Sequence, residues 1–332
     1  MLYGLLSHSP VSFDTQKDIP DLTGKVIAIT GGNAGIGAEI VLRLSSHNPA
    51  HIYILSRNAE TTATTISSFR IFIKNCCPLT HIPLDLSDLS SVRTCAETLK
   101  TLTKRLDILF LNAGIMLPPP GLTKQGYDLQ FGTNHLGHFL LANLLLPTLL
   151  STAQSQSQSQ SQTPNSDSDV RIIVLSSIGQ LFTLHKGLSF PTLKTPGSSF
   201  LPENLYRYAR IRELHAWLFI RELLVPGYGR KFLVSRAAGD GLLSGGVWVG
   251  ERIPVVGFQS VEEGARNPLW AATAPVAARD SSNKEEKTTG QVKPGEFYTP
   301  IGVEGSGTWA SQDMELASKL WEWSAKEVEG YL

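Results

Sequence analysis

The regular pattern of the chain begins at Lys25. Val26, Ile27, Ala28 and Ile29 form an unbroken apolar run, the pattern of a strand covered on both faces. Glycines at 31, 32, 35 and 37 follow, and an apolar helical stretch runs from Ala38 to Leu44. The alternation then repeats. Strand-like runs lie at His51 to Leu55, His81 to Leu84, Leu106 to Leu111 and Arg171 to Leu175, with helical stretches at 59–69, 87–101 and 126–150 between them. Such alternation predicts a parallel sheet with helices on its faces.

Beyond Leu175 the pattern weakens. Residues 224–258 are glycine-rich with scattered apolar positions, although Lys231 to Gly239 retains a strand-like core. Ser260 to Glu263 is a capping box opening a helix toward Trp270, which Pro268 is expected to kink or shorten. Gly295 to Gly302 reads as a last strand. The C-terminal helix carries Leu316, Leu320 and Trp323 on one face, which suits a core. Residues 1–20 read as an arm broken by Pro10 and Pro20, and 21–332 as a single domain. Within it, residues 151–169 carry a Ser-Gln repeat with no core pattern, expected as a disordered surface loop without function.

Composition narrows the function classes. The 332 residues carry 29 Lys and Arg against 29 Asp and Glu, so no basic footprint argues for nucleic acid or an anionic membrane. Cys76, Cys77 and Cys95 have neither metal-ligand spacing nor even pairing, which points to a reduced, cytoplasmic protein. The most apolar run, Phe139 to Leu150, contains Pro147 and is short for a membrane span, so a buried helix is expected. Met1 to Leu6 lacks the basic start and cleavage pattern of a signal peptide.

The glycine cluster carries the first chemistry. Strand, glycine turn and helix together make a phosphate seat, because the backbone can approach a ligand while the helix start offers free N–H groups. The spacing is T-G-x-x-x-G-x-G without G-K-[ST], which excludes an ATP-type P-loop. His135 and His138 are three apart, but no acidic or cysteine partner is near them in sequence. Packing histidines are therefore favoured and no metal is expected.

Four motifs occur in order: Thr30 to Gly37, Asn112-Ala113-Gly114, Asn134 within Asn134 to Phe139, and Ser176-Ser177 after an apolar run. Together they resemble the short-chain dehydrogenase/reductase family, specifically its retinol-dehydrogenase-like branch. The resemblance implies a doubly wound α/β fold, a Rossmann-type three-layer sandwich with a mostly parallel sheet of about seven strands. It also implies a nicotinamide cofactor seated on Gly31, Asn33, Gly35, Ile36, Gly37, Asp85, Leu86, Asn112, Ala113 and Gly114. In the family the acid at Asp85 binds the adenine ring; the residue alone reads equally as a cap for the helix at 87–101. About twenty residues past the glycines an NAD-preferring fold carries an acid, whereas this chain has Arg57, which suits a 2′-phosphate and favours NADP(H) over NAD(H).

For catalysis the resemblance assigns Ser177 to orient the substrate carbonyl and Tyr208 to transfer the proton. Asn134, a buried amide expected to hold water, would support a proton relay. The family places a lysine four residues after the tyrosine to favour its phenolate. This chain reads Tyr208-Ala-Arg-Ile-Arg212, with Tyr206 and Arg210 as a second register. Arg212 keeps a permanent charge that can lower the tyrosine pKa, but it cannot relay a proton. The family's proline and threonine after the sixth strand are also missing around Ser235 to Gly239. Two functions are therefore carried forward. One is an NADP(H)-dependent oxidoreductase acting on a carbonyl or secondary alcohol of a small or medium apolar molecule. The other is a catalytically impaired NADP-binding sensor or partner protein. Family analogy adds a homodimer.

Overall fold

The central strands of the first half are apolar on both faces, and both faces are used. A computed structural model of the chain describes residues 11–159, 169–176, 189–197, 233–238, 260–276, 290–293, 295, 297–298, 301–302 and 313–332. β1 (Val26–Thr30) is buried throughout. It leads to α1 (Gly35–Ser45), β2 (His51–Ser56), α2 (Ala59–Phe72), β3 (Leu79–Pro83), α3 (Leu89–Leu102) and β4 (Ile108–Leu111). A short helix α4 (Leu129–Phe131) and a π turn (Gly132–Leu136) open α5 (Gly137–Ser159). Then come β5 (Arg171–Ser176), a 3₁₀ turn (Phe190–Lys194), β6 (Leu233–Ala238), α6 (Val261–Thr273), β7 (Phe297–Tyr298) and α7 (Met314–Val328).

The strands form one sheet in the order β3-β2-β1-β4-β5-β6-β7, with every neighbouring pair parallel. Alternate residues of β1 feed two cores, as the two-residue period of a strand requires. Val26 and Ala28 join Val92, Leu99, Leu140, Leu145 and Leu320 from α3, α5 and α7. Ile27 and Ile29 join Ile40, Val41, Ile66, Leu269 and Trp270 from α1, α2 and α6. The expected three layers and seven parallel strands are therefore present. Among the described residues of the expected last strand, Phe297 and Tyr298 pair with β6.

The local expectations fare differently. The stretch expected as one helix over 126–150 is interrupted by the π turn, and α5 runs on into the Ser-Gln repeat as far as Ser159. Gln156 of that repeat donates to Asp107 Oδ1 at 2.7 Å and accepts from the Asp169 N–H at 2.9 Å. This part of the repeat is thus ordered by a buried carboxylate, a partner invisible in composition; residues 160–168 lie outside the described residues. Residues 11–20, expected as an arm, bury Phe13 and Ile19 in the second core, and Arg266 donates twice to the Phe13 carbonyl. Pro268 lies inside α6 without ending it, because Leu269, Trp270 and Ala271 are buried against the sheet. By length and composition, the helical stretch Leu129–Ser157 is long and apolar enough to cross a membrane, which the reading of Phe139 to Leu150 missed. In the fold, Leu136, Phe139, Leu140, Leu141, Leu145 and Leu149 of that stretch belong to the first core, the setting expected of a buried helix.

The N-terminal edge of the sheet is tied by charge. Asp107, fully buried, accepts from the Val26 N–H at 2.8 Å and from both prongs of Arg105 at 2.8 and 2.9 Å. Lys25 bridges Asp107 and Asp169, and Arg171 donates to Asp169 and to the Ala271 and Ala274 carbonyls. Buried charges such as Asp107 and Arg171 persist only where they have partners, and this network supplies them. It leaves the opposite, carboxyl edge for chemistry.

Candidate active site

The neighbours of β1 are β2 and β4, so the sheet order reverses between β1 and β4. In open α/β sheets the crevice outside the strand ends at that reversal is where ligands bind. The glycine turn sits there. Gly31 has φ +69°, and its N–H donates to the Leu55 carbonyl at 2.8 Å, which pins the turn to the end of β2. α1 begins four residues on, at Gly35. Its N-cap is Ala34, in extended conformation and with no side-chain cap bond, and its first turn holds no acid. The first N–H groups of α1 are therefore uncapped, the condition for seating an anion. On the far side, Thr65 Oγ1 donates to the Asn33 carbonyl at 3.0 Å and fixes the turn against α2.

β4 meets this turn closely. A Cβ placed on Gly37 would lie 2.2 Å from the Gly31 carbonyl oxygen and 2.5 Å from Asn112 Nδ2. Only bare backbone lets α1, β1 and β4 converge so tightly, so the residues fit a diphosphate held by peptide nitrogens. Thr30 organises the other half. Its hydroxyl accepts the N–H groups of Asn112 and Ala113, both at 2.9 Å, while Asn112 Nδ2 donates to the Thr30 carbonyl at 2.8 Å.

Asn134 is fully buried and holds the chain beyond Gly114. Its Oδ1 accepts from the Ile115 N–H and its Nδ2 donates to the Ile115 carbonyl, both at 2.8 Å. The amide thus clamps a peptide through one donor and one acceptor. The sequence offered no way to see this, because Ile115 lies 19 residues away. Asn134 sits in the π turn, a feature that recurs at functional sites.

The remaining predicted positions divide. Arg57 follows β2 and is exposed beside the glycine turn, with no ion pair among the described residues. Ile36 packs part of its side chain on the second core. Asp85 lies past β3; its Oδ1 accepts from the Ser87 N–H and hydroxyl at 2.9 and 2.6 Å. The cap of α3 is Asp88, which accepts from the Ser90 N–H, so the capping reading of Asp85 is corrected by three residues. The Leu86 side chain belongs to the first core, so only its backbone is available to a ligand. Gly114 is exposed at the mouth. Ser177, Tyr208 and Arg212 lie outside the described residues. Ser176, the residue before Ser177, is buried at the end of β5, beside Ala238 of β6.

Three contributors escaped sequence reading. Thr30 was seen only as the first letter of the glycine motif. Gly137 lets α5 approach the Leu86 carbonyl, which would stand 2.4 Å from a Cβ there. His138, weighed only as packing against metal, contacts Thr30 and the Asn134 carbonyl. Among the described residues no cluster of His, Cys, Asp and Glu could hold a metal. His135 bonds Ser324 Oγ at 2.9 Å, and burial, reinforced by His138, depresses its pKa to about 3.

An all-parallel sheet with a glycine turn and an uncapped helix start at its reversal defines a dinucleotide-binding α/β protein. More specifically, the chain belongs to the short-chain dehydrogenase/reductase family, a family of oxidoreductases. The short chain dehydrogenase profile matches residues 25–159. A short-chain dehydrogenase/reductase of Armillaria gallica is 33% identical over 95% of this chain and 94% of its own length. An uncharacterized oxidoreductase of Schizosaccharomyces pombe is 33% identical over 88% and 81%. Among solved structures, a Mycobacterium paratuberculosis protein matches with a TM-score of 0.67 at 22% identity, covering 96% of this chain and 98% of that one. A carbonyl reductase from chicken fatty liver, solved with NADPH bound, matches with a TM-score of 0.55 at 18% identity over 83% and 96%. At these identities the structural matches show the fold alone.

Proposed function

We propose that the protein is an NADP(H)-dependent oxidoreductase of the cytoplasm, acting on a carbonyl or secondary alcohol of a small or medium apolar molecule. The observation that carries this reading is the convergence of Gly31, Gly37 and Asn112 at the sheet reversal, with Arg57 as an exposed cation one residue past the end of β2. Peptide nitrogens of the turn and of α1 would hold the diphosphate, Arg57 the 2′-phosphate, and Asn112 to Gly114 the face of the cofactor. The bound nicotinamide supplies or accepts a hydride.

The protein's own groups handle the carbonyl and the proton. Ser177 donates a hydrogen bond to the substrate oxygen and orients it. Tyr208 transfers the proton, and a free phenol with a pKa near ~10 needs a cation beside it for that work at neutral pH. Arg212 provides that charge, and the Asn134 turn supports the path to solvent. The retinol-dehydrogenase-like branch and a homodimer are parts of the same reading.

The test is a titration of the purified chain with NADPH and NADH followed by fluorescence, then turnover on a panel of ketones, aldehydes and alcohols. NADPH is expected to bind more tightly, and Tyr208→Phe to lower turnover about 10²–10⁴-fold, the scale of general acid–base catalysis. Unchanged turnover in that variant removes the catalytic assignment. A second reading, a cofactor-binding protein with impaired catalysis, is favoured by Arg212 itself, since arginine cannot release a proton. Tight NADPH binding with no turnover on the whole panel selects it.

A further inference from the structure

Two parts of the candidate site meet through one side chain. His138, fully buried on the first turn of α5, has Nε2 2.9 Å from Thr30 Oγ1 and Nδ1 3.1 Å from the Asn134 carbonyl oxygen. The partners fix the tautomer. A carbonyl can only accept, so the Nδ1 proton points at Asn134. Thr30 Oγ1 already accepts two N–H groups, from Asn112 and Ala113, which fills its two lone pairs. A third donor at Nε2 would have no lone pair to meet. The Thr30 hydroxyl must therefore donate to a bare Nε2, at 2.9 Å against 3.4 Å to its other acceptor, the Phe110 carbonyl.

The π turn gives the Nδ1 contact its meaning. The Gly137 N–H bonds the Gly132 carbonyl, five residues back instead of four, so the register of backbone acceptors slips by one around Asn134. His138 donates from its side chain to the Asn134 carbonyl at this slip.

We propose that His138 is a positioning residue with two separable arms. Through Nε2 it orients the Thr30 hydroxyl that holds Asn112 and Ala113, and so sets cofactor affinity. Through Nδ1–H it fixes the Asn134 carbonyl and the turn that grips Ile115, and so sets turnover. The assignment of the arms to affinity and turnover rests on the oxidoreductase reading above; the bonding pattern does not.

Side-chain amides separate the arms, since glutamine reaches the Nε2 position and asparagine the Nδ1 position. His138→Gln is expected to hold its NADPH Kd near wild type while kcat falls about tenfold, the scale of one lost buried hydrogen bond. His138→Asn is expected to raise Kd about tenfold while kcat at saturating NADPH stays near wild type. Thr30→Val should reproduce the binding loss, Thr30→Ser should restore affinity, and Thr30→Val combined with His138→Asn should cost no more than either alone. Equal loss of both constants in the two histidine variants, or additive losses in the double variant, overturns the proposal.

Histidine-selective ¹⁵N NMR of the wild-type chain, the His138 signal identified by its loss in whichever His138 variant folds, decides the bonding even where the other substitution fails to fold. A protonated Nδ1 and a bare Nε2 at neutral pH are expected. The opposite tautomer or a doubly protonated ring overturns the proposal. A wild-type chain that neither binds NADPH nor turns over a carbonyl removes the functional reading alone, and the NMR result still decides the bonding.

Discussion

The carbonyl oxygen of Gly31 lies 2.2 Å from the point where a Cβ on residue 37 would stand. The oxygen is backbone, in the turn after β1, and a Cβ is fixed directly to the backbone of the first turn of α1, so neither can swing aside. That single approach joins the strand, the helix start and the Asn112 amide into one seat. Gly37→Ala should therefore lower stability by about 1–3 kcal/mol, the cost of overpacking, and weaken NADPH binding by more than tenfold. Thermal unfolding and fluorescence titration of the variant give both values. An alanine variant with unchanged affinity would mean that the turn does not hold the cofactor.

Arg57 should decide between the two nicotinamide cofactors. It is exposed after β2, where an acid would face a ribose hydroxyl and a cation faces a phosphate. Arg57→Asp is expected to move the ratio of NADPH to NADH affinity by about 10-fold or more toward NADH, as charge-assisted bonds of about 1.5–3 kcal/mol imply. Parallel titrations with both cofactors measure it. Equal loss for both cofactors would assign Arg57 to the turn's stability instead.

His135 should make the fold sensitive to acid. Its pKa is about 3 in the fold, held down by burial first and by His138 second, against about 6.5 when unfolded. Between those values the unfolded chain binds the extra proton, so stability falls as pH drops from about 6.5 toward 3, by up to about 1.4 kcal/mol per pH unit from this group. His135→Phe removes that slope, at the cost of the Ser324 bond. Denaturant unfolding at pH 7 and pH 5 should show a smaller loss in the variant than in the wild type.

Asp107 should be needed for stability and not for cofactor recognition. Asp107→Ala strips partners from the Val26 N–H, Arg105 and Gln156 together; Arg105 is half exposed and Lys25 keeps Asp169, so the loss is that of the buried Val26 N–H left unpaired, about 1–3 kcal/mol. The network lies at the edge of the sheet opposite the glycine turn. The folded fraction of the variant should therefore bind NADPH with wild-type affinity, read by titration at low temperature.

Much of this architecture was legible in the residues. The runs at Val26, His51, Leu106 and Arg171 are apolar on both faces because each strand is covered by helices on both sides, and that requirement is local and periodic. Glycines 31 and 37 were legible for the same reason, since a tight approach of backbone admits no other residue. The start of α3 was misplaced by the competition of Asp85 and Asp88 for the same role. Three residues apart, both are short acids ahead of a helix, and only the geometry shows Asp85 spent on Ser87 and Asp88 on Ser90.

The sequence alone determined the parallel α/β layering and the glycine turn, because these follow from periodicity and from steric demands confined to a few neighbouring residues, while its ordered motifs carried the resemblance to the family. Only the tertiary structure decided what the buried polar groups do. Asn134 clamps Ile115, His138 joins Thr30 to the π turn, and Gln156 of an apparently featureless repeat completes Asp107. A buried donor or acceptor must find a partner, but it can find one at any distance along the chain. That choice is made when the elements pack, and no spacing in the sequence records it.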